Sequence, residues 1–462
     1  MLSSACRAAA LGGLPLSSFS AARTRCLSTT ARRVQFREPD ASKPKLVLAY
    51  SGGLDTSTQL AWLAKEKGFE VCAYIADLGQ DEGVNSEEEL NEITAKAELS
   101  GAYAFVCADA KRDFVTDFVF RALRANAVYE GRYLLGTSIA RPCISKFQMD
   151  IVAQEGAQFV SHGSTGKGND QVRFELAYQA LDPSIQCVTL WRDPEYLEKF
   201  KGRPDLIDFA TQHGIPVGQT KKHSYSEDEN LMHISYESGE LEDPAYPGNL
   251  RPYPGQVLKK KTRDIADCPD EPANLKIDFV KGNPVRVENQ DDGTVIEDPL
   301  DLFVYLNKIA GEHGVGRLDI VENRFVGMKS RGCYETPAGT VLQRAHLDLE
   351  TLTMDREVMR IRDVLSLKFA ELCYNGYWYS PEMDYIGNAL DDAQRVVTGS
   401  VDVQLLKGNV MNRGRSSPIS LYNQDLVSMD VEGGFDATNS TGFIKTLATR
   451  IKAAKQQEAT MS

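Results

Sequence analysis

Residues 51–57 read Ser-Gly-Gly-Leu-Asp-Thr-Ser and follow an apolar run that ends at Tyr50. A glycine-rich turn that opens a helix presents unpaired backbone N–H groups, and the positive end of the helix, to an anion. Ser51, Thr56 and Ser57 add hydroxyl donors, and Asp55 can cap the helix or help orient a metal ion. The implied chemistry is phosphate binding, yet the lysine of the G-x-x-x-x-G-K-[ST] loop is missing. A second loop, within residues 161–175, reads Ser-His-Gly-Ser-Thr-Gly-Lys-Gly-Asn-Asp-Gln-Val-Arg-Phe-Glu. It fails the same pattern, because Gly168 follows Lys167 where Ser or Thr is required. Gly163 can approach a nucleotide closely. Thr165, Asn169 and Asp170 offer donors and acceptors suited to the carboxylate and ammonium of an amino acid. Arg173 lies one helical turn after Asn169, on the same face. The competing reading, a tight turn for the first loop and a polar helix start for the second, binds nothing and is the weaker one for both.

The elements that must position these loops alternate. Between residues 43 and 218, short β-rich runs (45–50, 70–79, 102–109 and 157–163) are separated by helical patterns at 56–68, 86–101, 111–127 and 170–181. That alternation predicts βαβ units and a parallel sheet, and ligands of such sheets sit at the carboxyl ends of the strands, where both loops fall. After residue 218 the pattern changes. Residues 275–296 alternate apolar and polar around Gly282-Asn283 and Asp292-Gly293, which are hairpin signals. Residues 242–273 read as a surface excursion. Helices are expected over 298–314 and 354–376, and a terminal one places Phe443, Leu447, Ile451 and Ala454 on one narrow apolar face. The fold class is therefore α/β: a parallel-sheet domain over 43–217, an α+β domain over 218–437, and a C-terminal helix over 438–462.

Composition is that of a globular chain, with 42% apolar and 25% charged residues among 462. No apolar run approaches the ~18 residues of a membrane span. The nine cysteines include no C-x-x-C pair, and the six histidines show no H-E-x-x-H, so neither a zinc ribbon nor a histidine metal site is indicated. Residues 1–37 carry Arg7, Arg23, Arg25, Arg32, Arg33 and Arg37 and no acid. This is the composition of a transit peptide or of a disordered tail, so residues 1–42 are set apart as a leader. The net charge of −13 becomes more negative once that leader is discounted. Such acidity disfavours a nucleic-acid partner, whose binding needs phosphate neutralisation.

The Ser-Gly-Gly-Leu-Asp-Thr-Ser loop resembles the pyrophosphate loop of the N-type ATP pyrophosphatases, which hold pyrophosphate as a leaving group while an oxygen attacks the α-phosphate. Loss of the lysine fits that task. Residues 131–143, 228–239 and 313–340, with both glycine loops, resemble the argininosuccinate synthases of that superfamily, from about Lys45 to the terminal helix. The resemblance implies an adenine nucleotide alpha hydrolase-like domain followed by a synthetase domain and an oligomerisation helix. It implies ligation of citrulline and aspartate with ATP and Mg²⁺, a homotetramer, and a cytosolic location; the basic leader makes the mitochondrion the alternative.

By the same resemblance, ATP is held by Ala49, Tyr50, Ser51, Gly52, Gly53, Leu54, Asp55, Thr56, Ser57, Ala76 and Gly163. Citrulline contacts Tyr133, Ser138, Asn169, Arg173, Ser226, Ser235, Glu322 and Tyr334, and aspartate contacts Thr137, Thr165, Asn169 and Asp170. Asp55, Asn169, Asp170 and Arg173 are the catalytic set, and no protein ligand to the metal is assigned. Arg173 can fork onto a carboxylate, and replacing it with Ala is expected to weaken citrulline binding while leaving the fold nearly intact. Either Asp170 or the departing pyrophosphate can take the amine's proton. A glutamine-dependent amidotransferase, a tRNA thiolase or a nucleotide sensor would share the first loop. The first would need a glutaminase nucleophile and its own domain, the second catalytic cysteines near the site and a basic RNA surface, and the third leaves the later polar clusters unexplained.

Overall fold

The computed structural model describes residues 31–81, 84–166, 168–216, 225–247, 260–428 and 434–461. Its first sheet contains β1 (Arg32–Gln35), β2 (Lys45–Ala49), β3 (Glu70–Asp77), β4 (Ala104–Asp109), β5 (Phe159–Ser161) and β6 (Gln186–Val188), in the order β1-β4-β3-β2-β5-β6. β2 to β6 are parallel. Seven of the eight β3 residues are buried, as a strand covered on both faces requires. The strand order reverses between β2 and β5, and the two glycine loops leave the sheet there, at its topological switch point. Gln148 clamps that junction from below: its buried amide donates to Val47 C=O at 3.1 Å and Ser161 C=O at 3.0 Å.

Four helices of this unit matter for the site: α1 (Leu54–Ala61), α2 (Glu87–Ser100), α3 (Gly136–Glu155) and α4 (Asp170–Leu181). Ser86 caps α2, accepting from Glu89 N–H at 3.1 Å, and Gly101 ends it at φ 108°. Sequence patterning did not reveal α3. Its first residue is Gly136, it follows Leu135 at φ 64°, and it contains Pro142, all of which read locally as breakers. Burial of most of its length overrides them.

The leader boundary at residue 42 also needs correcting. β1 lies inside it and pairs antiparallel with β4, Arg32 opposite Cys107 and Val34 opposite Phe105. Arg33 bonds Glu155 at 2.9 Å and Arg37 bonds Glu70 at 2.6 Å. Half of the arginines that gave the segment its basic character are therefore ion-paired or hydrogen-bonded parts of the folded unit. Residues 1–30, which hold the rest, lie outside the described residues.

The remaining strands are β7 (Ser226–Glu229), β8 (Ile234–Glu237), β9 (Ala273–Val280), β10 (Asn283–Asn289), β11 (Val295–Ile296), β12 (Arg317–Asn323), β13 (Lys329–Glu335), β14 (Gly399–Leu406) and β15 (Asn409–Ser416). They form two sheets with antiparallel pairing, ordered β11-β10-β9-β14-β15 and β12-β13-β8-β7. The β9–β10 turn falls on Lys281-Gly282 (φ 50° and 77°), one residue earlier than the expected Gly282-Asn283. The helices α5 (Pro299–Glu312), α6 (Pro337–Thr353) and α7 (Arg356–Asn375) belong to this half, as does a further helix over Pro381–Ala393.

One apolar cluster runs through both halves, from Val47 and Tyr74 to Leu306, Leu342 and Phe369. Phe118 stacks on Trp378 at 5.1 Å within it. The last helix, α8 (Asn439–Met461), buries none of its residues, and Phe443, Leu447 and Ile451 are each more than half exposed. Among the described residues no helix is long and apolar enough to cross a membrane.

Candidate active site

Above the switch point lie two adjoining cavities. The first, of about 450 Å³, is lined by Ala49, Tyr50, Ser51, Gly53, Asp55, Thr56, Ala76 and Gly163 among others. Gly53 precedes α1 with no side-chain cap, so the helix's first N–H groups open toward the cavity. Gly52 takes φ +75°, and a Cβ there would stand 2.8 Å from Ile93 of α2. Gly163 is just as constrained, since its Cβ would meet Thr56 Cγ2 at 2.6 Å.

Three of the expected ATP residues do not line this cavity. Gly52 shapes the turn, Leu54 packs into the neighbouring apolar cluster, and Ser57 is buried, bonded to the Tyr50 hydroxyl at 3.0 Å. Lys96 of α2 reaches behind the loop and donates to Gly52 C=O at 2.7 Å. Asp55 is solvent-accessible; the protein packed behind it pushes its carboxyl above the ordinary value, opposed by Arg203.

The second cavity, of about 520 Å³, is lined by Tyr133, Thr137, Thr165, Asn169, Asp170, Arg173, Ser226, Ser235, Glu322 and Tyr334. The small sheet brings these distant segments together, pairing Tyr334 with Ser235 and Ser235 with Asp228. Glu322 is 7% exposed. Its Oε1 accepts from Tyr334 at 3.1 Å and Tyr374 at 3.2 Å, while its buried Oε2 has no partner among the described residues. Burial pushes this carboxyl up, against those hydrogen bonds and the charge of Arg173. A buried, half-satisfied carboxylate oxygen on a cavity wall is a seat for an ammonium. Tyr133 stacks on Tyr334 at 4.4 Å and makes an aromatic wall beside it.

Ser138, expected to touch citrulline, lines neither cavity. It is buried, and its Oγ has no partner among the described residues. Arg173 also differs from expectation. It is 5% exposed and donates to Asp170 at 2.8 Å and to Tyr374 C=O at 2.9 Å, with its guanidinium over the Tyr374 ring. It is part of the framework as well as the cavity wall, so its loss cannot leave the fold nearly intact.

The two cavities share Arg141, Asp170, Asp228, Gly163 and Ser164 as lining. Arg141 bridges the carboxylates, at 2.8 Å from Asp170 and 2.6 Å from Asp228. Burial raises Asp170's carboxyl, but Arg141 and Arg173 outweigh it and hold the group down at about 2. Thr137 Oγ1 lies 3.0 Å from both Asp228 and His233 Nε2. Burial, with Lys261, Arg141 and Arg173, lowers His233 to about 3, so its imidazole is neutral.

Sequence reasoning missed Arg141, Asp228, His233, Tyr374 and Lys96. A signal existed for Arg141, which stands four residues after Thr137 and so on the same helical face, but only once residues 136–155 are known to be helical. Nothing local marks the others, because their roles depend on which elements pack together.

A family profile described as "Arginosuccinate synthase N-terminal HUP domain" matches residues 45–216, and one described as "Arginosuccinate synthase C-terminal domain" matches residues 225–454. Curated proteins named argininosuccinate synthase align along the chain. That of Thermotoga sp. (strain RQ2) is 57% identical over 410 residues, covering 89% of this chain and 97% of its own. That of Homo sapiens is 54% identical over 412 residues, with the same coverage. That of Danio rerio is 53% identical over 411 residues, covering 89% and 96%.

Proposed function

The chain belongs to the argininosuccinate synthase family, and from that premise we propose how its residues divide the reaction. The reaction is the ATP-dependent joining of citrulline and aspartate into argininosuccinate, through citrullyl-AMP, with release of pyrophosphate and AMP. It is a step of arginine biosynthesis. The observation that supports our assignment is the wall common to both cavities, where a nucleotide in one and an amino acid in the other would meet at Arg141, Asp170 and Asp228.

In this reading the 51–57 loop grips the β- and γ-phosphates, and the base lies toward Ala76. MgATP is the nucleotide substrate. Asp55 is the loop's own carboxylate toward the ion, and the phosphates and water supply the remaining ligands. Citrulline places its ammonium on Glu322 and its carboxylate toward Arg173, Ser226 and Ser235, so that its ureido oxygen points at the shared wall. That oxygen forms a bond to the α-phosphorus as the bond to the pyrophosphate oxygen breaks, and the electron pair leaves with pyrophosphate. The amine of aspartate, held by Thr137, Thr165, Asn169 and Asp170, then attacks the activated carbon, and AMP departs with the C–O electron pair.

Catalysis here is positioning and charge stabilisation. Both Asp170 oxygens already accept from arginines, at 2.9 Å and 2.8 Å. A carboxylate so engaged is a weak base, and the departing phosphate oxygens take the amine's proton.

The exposed apolar face of α8 supports a homotetramer in which this helix packs on a neighbouring copy. A cytosolic location follows the family; the basic leader makes mitochondrial import the alternative, which imaging of a C-terminally tagged chain resolves. The decisive assay is pyrophosphate release from ATP by the full chain. We expect sustained release over many turnovers to require citrulline and aspartate together, with citrulline alone giving at most one equivalent per site. Absence of release with both present would overturn the reading.

A further inference from the structure

The base end of the nucleotide cavity is an edge that β2 leaves bare. β2 pairs with β3 as far as Ala49 opposite Tyr74, and Tyr50 N–H still reaches Tyr74 C=O at 2.7 Å. The chain then turns away into the glycine loop, while β3 runs on to Asp77. Groups facing one neighbour recur every second residue along a strand. The next positions on this edge are therefore Ala76 and Leu78, and both line the cavity. The intervening Asp77 C=O faces the other way, accepting from Ala110 N–H at 3.0 Å.

One side chain takes both bare groups. Gln80 Nε2 donates to Ala76 C=O at 2.8 Å, and Gln80 Oε1 accepts from Leu78 N–H at 2.8 Å. Gln80 itself lines the same cavity and is half-buried. A carboxamide presents one donor and one acceptor side by side. The Watson–Crick edge of adenine presents the same pair, its 6-amino group and N1, and proteins that hold a free base read that edge.

We propose that Gln80 is an internal surrogate for adenine and a base-selecting residue of this site. Its carboxamide keeps Ala76 C=O and Leu78 N–H in the register that adenine needs, and ATP takes over the pair by displacing the side chain. This rests on the nucleotide assignment above. Because the side chain competes for the base's own partners, it lowers apparent ATP affinity by the fraction of time it holds them. A ligand without a base meets no such competition.

The test is titration calorimetry on the full chain and its Gln80→Ala variant, with ATP and with tripolyphosphate as the base-free probe. Loss of the competing hydrogen bonds should tighten ATP binding in Gln80→Ala by about three- to tenfold, with tripolyphosphate affinity unchanged. ATP binding that is unchanged or weaker would overturn the proposal. So would a parallel shift of tripolyphosphate, since that would make Gln80 a support for the whole loop. If the unaltered chain bound neither ligand, the nucleotide reading itself would fall and take the proposal with it.

Discussion

Replacing Glu322 with Gln separates what this residue does for binding from what it does for folding. The two side chains have the same shape. The oxygen that accepts from Tyr334 and Tyr374 is retained, and the unpartnered Oε2 becomes an NH₂. An ammonium that was to sit on a charged acceptor then faces a donor. Losing a hydrogen bond to a charged group costs about 2–3 kcal/mol, which at 1.4 kcal/mol per decade is a rise of roughly 30- to 150-fold in the KM for citrulline. The KM for ATP should stay within about twofold, because Glu322 lines only the second cavity. Stability should move the opposite way. Burial raises the Glu322 carboxyl above its unfolded value, so the stability linked to it is present below the unfolded pKa and lost as pH rises through the folded one. At pH 7 the ionised group is therefore a net cost to the fold, and the Gln variant should melt at a higher temperature. Steady-state kinetics and differential scanning calorimetry check both halves. A lower melting temperature, or an unchanged citrulline KM, would refute the reasoning.

Arg173→Ala should raise the citrulline KM and also destabilise the chain by about 2–4 kcal/mol, because it strands the Tyr374 carbonyl and takes one of two cations from Asp170; an unaltered denaturation midpoint would contradict this. Asp170 is held near 2, below the ordinary ~3.9, so its contribution is full above about pH 4 and lost as pH falls toward 2. Asp170→Asn should flatten the decline of the denaturation midpoint between pH 5 and pH 3, and an unchanged slope would count against the ion pairs. Lys96→Met should raise the KM for ATP about three- to tenfold by freeing the Gly52 carbonyl, with both amino-acid KM values unmoved; equal effects on all three substrates would mean general damage. Deleting residues 439–461 should lower the assembly state in sedimentation velocity, whereas an unchanged profile would make α8 a local feature.

The sequence by itself determined the parallel sheet, the two glycine-rich loops at strand ends and the β-rich second half, because periodicity and glycine placement are local properties. It also supplied, through long ordered matches, most of the residue types that line the cavities. Tertiary structure alone decided which of them line the cavities. Gly52, Leu54 and Ser57 belong to the loop by sequence, yet they point into the turn, the core and the Tyr50 hydroxyl. β1 was hidden because Arg32 and Arg33 look like part of a basic leader until β4 offers the strand an edge. α3 was hidden because Gly136 and Pro142 break a helix locally, and only burial against both halves of the molecule overrides them. Arg141, Lys96 and Gln80 carry no motif at all. Their roles arise where separate backbone segments converge, and a periodicity shows which face of an element is buried without showing what it is buried against.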